Sequence, residues 1–116
     1  MILAAVDDVF FGSKISAAAR QAGVAVTFAR TAEDALARLQ SDRPTLVIID
    51  LDSRRIRPLE LIAAVKQDST LGSTRAVGFV SHVHGDVIAA ARAAGADEIL
   101  ARSAFSAKLA DLLASA

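Results

Sequence analysis

Side chains able to handle a phosphoryl group or a hard metal ion recur at comparable places in this chain, each just after a short apolar run. Asp7 and Asp8 follow Ile2 to Val6, Asp50 follows Leu46 to Ile49, Ser81 follows Ala76 to Val80, and Arg102 follows Ile99 to Ala101. A carboxylate nucleophile, carboxylates that hold a divalent ion, a hydroxyl and a fixed cation are the parts needed to accept a phosphoryl group and spread its charge. Carboxylates gathered in one crevice repel one another, which raises one pKa unless a cation sits among them, and an all-oxygen set suits Mg2+. Taken singly, each residue has a plainer role: Asp8 and Ser81 could cap the helices that follow, and an arginine near a strand end is ordinarily exposed. Only the combination is specific.

Such residues need a scaffold that brings strand ends to one edge. The run Leu46-Val-Ile-Ile enters Asp50 without polar alternation, as a central parallel strand covered on both faces does. Between the apolar runs lie helical stripes: Phe11, Ile15, Ala18, Ala19 and Ala22 closed by Gly23; Ala32, Ala35, Leu36 and Leu39 opened by the capping-box-like Thr31-Ala-Glu-Asp34; and Leu61, Ile62 and Val65 started by Pro58. Val83, Val87, Ala90, Ala91 and Ala94 form a fourth stripe stopped by Gly95, and Phe105, Leu109, Leu112 and Leu113 a closing one. Val24 to Ala29, rich in β-formers, supplies the second strand and ends in Ala29 and Arg30. This alternation predicts an α/β fold: a five-stranded parallel sheet with right-handed crossovers and helices on both faces. In the flavodoxin-like order 2-1-3-4-5, strands one and three adjoin at the switch point, and the three carboxylates share one crevice.

The totals agree with one folded domain over residues 1–116, large enough for a real core. Thirteen basic residues balance thirteen acidic ones, so no net field would hold nucleic acid or an anionic membrane. The absence of cysteine excludes disulfides, thiolate zinc sites and cysteine nucleophiles. Met1 to Val6 lacks the basic flank and length of a signal peptide, no run reaches membrane-spanning length, and the expected location is cytoplasmic.

On these residues the sequence resembles the receiver domains of two-component response regulators over almost its whole length. Asp7-Asp8 matches the family's metal-binding acid pair, Asp50 in Val-Ile-Ile-Asp the phosphoacceptor, and Ser81 the switch hydroxyl of strand four; Leu59-Glu60-Leu61 and Ala94-Gly95-Ala96-Asp97 also sit where such domains carry similar segments. The resemblance implies that the phosphohistidine of a histidine kinase or phosphotransfer protein donates to Asp50, with Mg2+ held by Asp7 or Asp8, Asp50 and the backbone carbonyl of Asp52. It further implies output through contact with a downstream protein, self-dephosphorylation as the only turnover, and a monomer or weak homodimer with no output domain.

The family's strand-five Lys-Pro is here Arg102-Ser103, which keeps the charge but changes its reach and removes a cis-proline bond. Ile99 stands where an aromatic switch residue is usual. The loop after Asp50 carries Arg54, Arg55 and Arg57, which could lower the acceptor pKa, attract an acidic partner, replace part of the metal, or form a solvated run. His82 and His84 read as exposed residues rather than metal ligands. Of the adjacent Phe10 and Phe11, at most one can point fully inward. Two other functions compete with a phosphorylated switch: a pseudo-receiver that docks without phosphorylation, and a fragment similar to haloacid-dehalogenase-type phosphatases, in which Asp50 is the nucleophile and Asp52 the acid/base. The second ranks lowest, because in this chain the acid pair precedes the motif.

Overall fold

The computed structural model describes residues 1–81 and 85–116; Val83 of the fourth stripe, His82 and His84 lie outside the described residues. Strands β1 (Ile2–Ala5), β2 (Val26–Ala29), β3 (Leu46–Asp50), β4 (Arg75–Val80) and β5 (Glu98–Ala101) alternate with helices α1 (Val9–Ala22), α2 (Ala32–Asp42), α3 (Pro58–Gln67), α4 (Gly85–Ala94) and α5 (Arg102–Ala114). All pairings are parallel, as the alternation predicts, and the order is the expected flavodoxin-like β2-β1-β3-β4-β5.

Every residue of β3 is buried, which accounts for its unbroken apolar run. Successive side chains leave a strand on opposite faces, and two cores result. Leu3, Ala5, Val47 and Ile49 pack with Leu39, Leu61, Ile62 and Val65 of α2 and α3. Ile2, Ala4, Leu46, Ile48, Val77 and Phe79 pack with Phe11 and Ile15 of α1 and Phe105, Leu109 and Leu113 of α5. Asp50 continues the Leu46–Ile48 row and thus belongs to the α1/α5 face, opposite Phe79 in register and one position beyond the last β1 pair, Ala5 with Ile49. The carboxylate stands at the C-terminal end of the fully buried central strand.

Local chemistry fixes the boundaries. Thr31 accepts from the Asp34 N–H and opens α2, while Gly23 closes α1 in the left-handed conformation at φ 70°. Val24 donates back to Ala19 O at 3.1 Å, and this cap moves the start of β2 from the expected Val24 to Val26. At its other end the sheet gains Arg75 and Glu98, each drawn in by ladder pairing rather than by hydrophobicity. A 3-10 turn, Ser69–Leu71, is not foreshadowed by periodicity; the Asp68 side chain accepts from Thr70 N and supports it.

Candidate functional site

Asp50 is only 3% exposed. Its Oδ1 accepts from Asp52 N at 3.0 Å, and its carbonyl accepts from Ser53 N at 3.3 Å, so the chain turns tightly around the carboxylate. Leu51 N donates to Phe79 O at 3.0 Å, which ties this turn to β4. Burial pushes the Asp50 carboxyl above its ordinary value of 3.8; the Asp52 N–H and the Arg102 charge oppose the rise, and the charges of Asp52 and Asp8 add to it.

Asp8 caps α1 as its sequence position allows. Its Oδ1 accepts from Phe10 N at 2.9 Å and Phe11 N at 3.2 Å. Its Oδ2 lies 3.2 Å from Arg102 Nη2. The Phe11 N–H, with those of Phe10 and Arg102 and against a smaller effect of burial, holds this carboxyl below 3.8. Asp7 turns instead to Arg55, whose Nη1 is 3.3 Å from Oδ1.

Arg102 opens α5 and lies over an aromatic floor. Its guanidinium carbon is 4.5 Å from the ring centroid of Phe11 and 5.7 Å from that of Phe79. Phe79 stacks between Phe11 and Phe105, with centroids 4.9 and 4.6 Å away. The Nε–H of Arg102 is buried without a hydrogen-bond partner among the described residues. Phe11 is the inward member of the Phe pair, and Phe10 is 68% exposed with Lys14 over its ring.

Asp52 Oδ2 accepts from Ser81 N at 2.7 Å, which joins the loop after β3 to the end of β4. One oxygen of the carboxylate that a phosphatase reading would use as an acid/base is thereby engaged with the backbone. Ser81 itself is exposed, and its placement beside the acids rests on this tether. Ser53 Oγ accepts from Ile56 N at 3.3 Å and tightens the same loop. Arg57, at φ 48°, leads into α3 and pairs with Glu33 and Glu60.

A cavity of about 410 Å³ gathers Asp7, Asp8, Asp50, Asp52, Ser53, Arg54, Arg55 and Arg102. Of the residues read from the sequence, the four aspartates and Arg102 share it, and Ser81 adjoins it through Asp52. The oxygens fit a hard divalent cation in kind: carboxylates at the end of a strand, beside a turn whose carbonyls are at hand. As they stand, no three acidic or histidine side chains among the described residues are grouped to hold one, with Asp8 and Asp7 engaged by arginines. The arginine-rich loop after Asp50 signalled positive charge near the acids, but nothing in its spacing singled out the Arg55–Asp7 pair. The Phe11–Phe79 contact beneath Arg102 had a signal in the helical stripe that holds Phe11 and the apolar run that holds Phe79, but no spacing that joined them. A larger groove of about 590 Å³ between α3 and α4, lined by Leu51, Pro58, Val87 and Ala90, lacks this convergence of carboxylates.

No protein-family model matches the chain, and no curated protein matches it in sequence. Solved structures do match it. The chemotaxis response regulator CheY4 of Vibrio cholerae superposes with a TM-score of 0.84 at 23% identity, over 97% of this chain and 93% of that one. The phosphorylated cyanobacterial phytochrome response regulator RcpA gives 0.82 at 21% identity, over 98% and 88%. The Mn2+-bound form of the response regulator Rcp1 gives 0.79 at 20% identity, again over 98% and 88%. The chain has the flavodoxin-like fold of response-regulator receiver domains. No helix among the described residues is long and apolar enough to cross a membrane.

Proposed function

We propose that this chain is a receiver module in which Asp50 accepts a phosphoryl group from the phosphohistidine of a histidine kinase or phosphotransfer protein and passes the change on through protein contact. The observation that carries this reading is a buried carboxylate at the end of the central strand, without an ion-pair partner among the described residues, inside an acid cavity that also holds a fixed guanidinium. An Asp50 carboxylate oxygen attacks phosphorus, the P–N bond of the donor breaks, and the ring, protonated at its other nitrogen, takes the bonding pair and leaves as neutral imidazole, forming an acyl phosphate. Arg102, with its buried Nε–H unmatched, supports charge on the transferred group. Asp7 or Asp8, Asp50 and the Asp52 carbonyl are the oxygens that would hold Mg2+, which when bound neutralises phosphoryl charge. The Ser81 hydroxyl is the further candidate contact, carried by a backbone held at Asp52. The reading is that of a signalling domain rather than an enzyme.

Incubation with a small phosphodonor such as phosphoramidate and Mg2+ should add one phosphoryl group by intact mass, and Asp50→Asn should abolish the addition. A wild-type chain left unmodified under those conditions overturns the proposal. One observation favours a second reading, a docking module that works without phosphorylation: Arg102 already neutralises Asp8. That module would keep the same partner affinity with phosphodonor and metal present, and a clear change in affinity rejects it.

A further inference from the structure

We infer that Arg102 and a divalent cation compete for the Asp8 carboxylate, so that residue 102 sets how strongly this cavity binds metal. The inference rests on the reading of the cavity as a metal-assisted phosphoacceptor site, although its test needs no phosphorylation. Asp8 has two oxygens to offer, and both are engaged. Oδ1 takes the Phe10 and Phe11 N–H groups of the α1 terminus, and Oδ2 takes Arg102 Nη2 at 3.2 Å. A cation entering at Oδ2 must therefore displace the guanidinium or accept a like charge within a few ångströms of it.

The guanidinium is not loosely placed. It lies 4.5 Å above the Phe11 ring, and that ring stacks on Phe79, which stacks on Phe105, so α1, β4 and α5 all contribute to its seat. Arginine suits this seat because its planar fork lies flat on a ring while one nitrogen reaches sideways to a carboxylate; a lysine ammonium offers a single point charge. The seat is incomplete at one atom, the buried Nε–H without an acceptor. That donor favours a neighbour with oxygen lone pairs over a bare cation. Any oxygen ligand that engages Arg102 and draws it off Asp8 raises the affinity for metal, and metal raises the affinity for that ligand by the same factor.

The cavity holds a natural control. Arg54 lines it and forms no ion pair among the described residues, so Arg54→Gln removes the same charge without releasing Asp8. The experiment is calorimetric titration of Mg2+ and Mn2+ into the wild type, Arg102→Gln and Arg54→Gln, with no phosphodonor present. Competition predicts metal binding about tenfold tighter in Arg102→Gln, and a gain of no more than about threefold in Arg54→Gln. Equal gains in both variants would reduce the effect to general electrostatics and overturn the inference, as would unchanged, weaker or undetectable binding in Arg102→Gln. Should Arg102→Gln fail to fold, the wild type still decides: its Arg102 guanidinium resonances must shift on saturation with Mg2+, and resonances that stay put overturn the inference. Failed phosphodonor labelling beside tightened metal binding in Arg102→Gln would instead count against the phosphoacceptor reading and leave the competition standing.

Discussion

Asp97, just ahead of β5, and Asp50, at the end of β3, lie at opposite edges of the sheet, and their surroundings move their acidities in opposite directions. Asp50 is buried and Asp97 exposed, yet each accepts a backbone N–H: Asp97 from Ala76 at 2.8 Å, Asp50 from Asp52 at 3.0 Å. Asp97 also has Lys66 Nζ at 2.5 Å. Burial alone would raise its pKa, but the Lys66 bond, the Ala76 N–H and the charges of Lys66 and Arg75 outweigh that and hold it below 3.8. Asp50 has no cation within ion-pair distance among the described residues, the nearest guanidinium being spent on Asp8, and burial prevails. The same side chain thus fastens α3 to β4 at one edge and stands under strain of charge at the other. A fold that only needed stability would treat both alike.

Substitutions can break or sharpen this contrast. The largest effect should come from the aromatic floor, because the site edge is held by packing where the other is held by ion pairs. Phe105→Ala, which empties a fully buried position in the stack, should cost about 3–5 kcal/mol in urea unfolding. Next, Asp97→Ala should cost about 1–3 kcal/mol, since it leaves the Ala76 N–H and the Lys66 ammonium without their shared acceptor. An unchanged midpoint would show that edge to be no fastening at all. Smallest and opposite in sign, Asp50→Asn should raise stability at neutral pH by about 1 kcal/mol, since the amide still accepts from Asp52 N but carries no buried charge. The pH dependence follows from the two shifts. A raised folded pKa means the native state binds the Asp50 proton more tightly than the unfolded chain, so stability falls as pH rises from 3.8 through the folded value. The gain in Asp50→Asn should therefore vanish in acid and open over that range. Asp97 behaves oppositely: its contribution is present above 3.8 and is lost as pH falls through its lowered folded value.

Strand ends were legible in the sequence because a parallel sheet buried on both faces writes its strands as apolar runs, and Asp7, Asp8 and Asp50 stand where those runs stop. The stripe rule likewise gave Phe11, Ile15, Leu61, Ile62, Phe105 and Leu109 their inward positions. Partnerships were another matter. That Arg102 chooses Asp8 and Arg55 chooses Asp7 depends on the torsions of long side chains, which no periodicity encodes. The floor beneath Arg102 needs the pairing of β3 with β4, which sets Phe79 opposite Asp50, and also α1 and α5 on one face. Asp52 was read for its carbonyl and, in the phosphatase alternative, for its carboxylate as acid/base; that its carboxylate holds Ser81 N is marked by nothing in the spacing of residues 52 and 81. The arginine loop divides in a way its composition conceals, Arg54 and Arg55 facing the acids and Arg57 turning to Glu33 and Glu60.

The 2.7 Å bond from Ser81 N to Asp52 has a mechanical side. The turn that begins at Asp50 is linked to β4 twice, by Leu51 N at Phe79 O and by this carboxylate, so turn and strand end behave as one lever with two rivets. One link is backbone to backbone and the other backbone to carboxylate, and neither involves residue 99. An isoleucine there leaves that linkage whole.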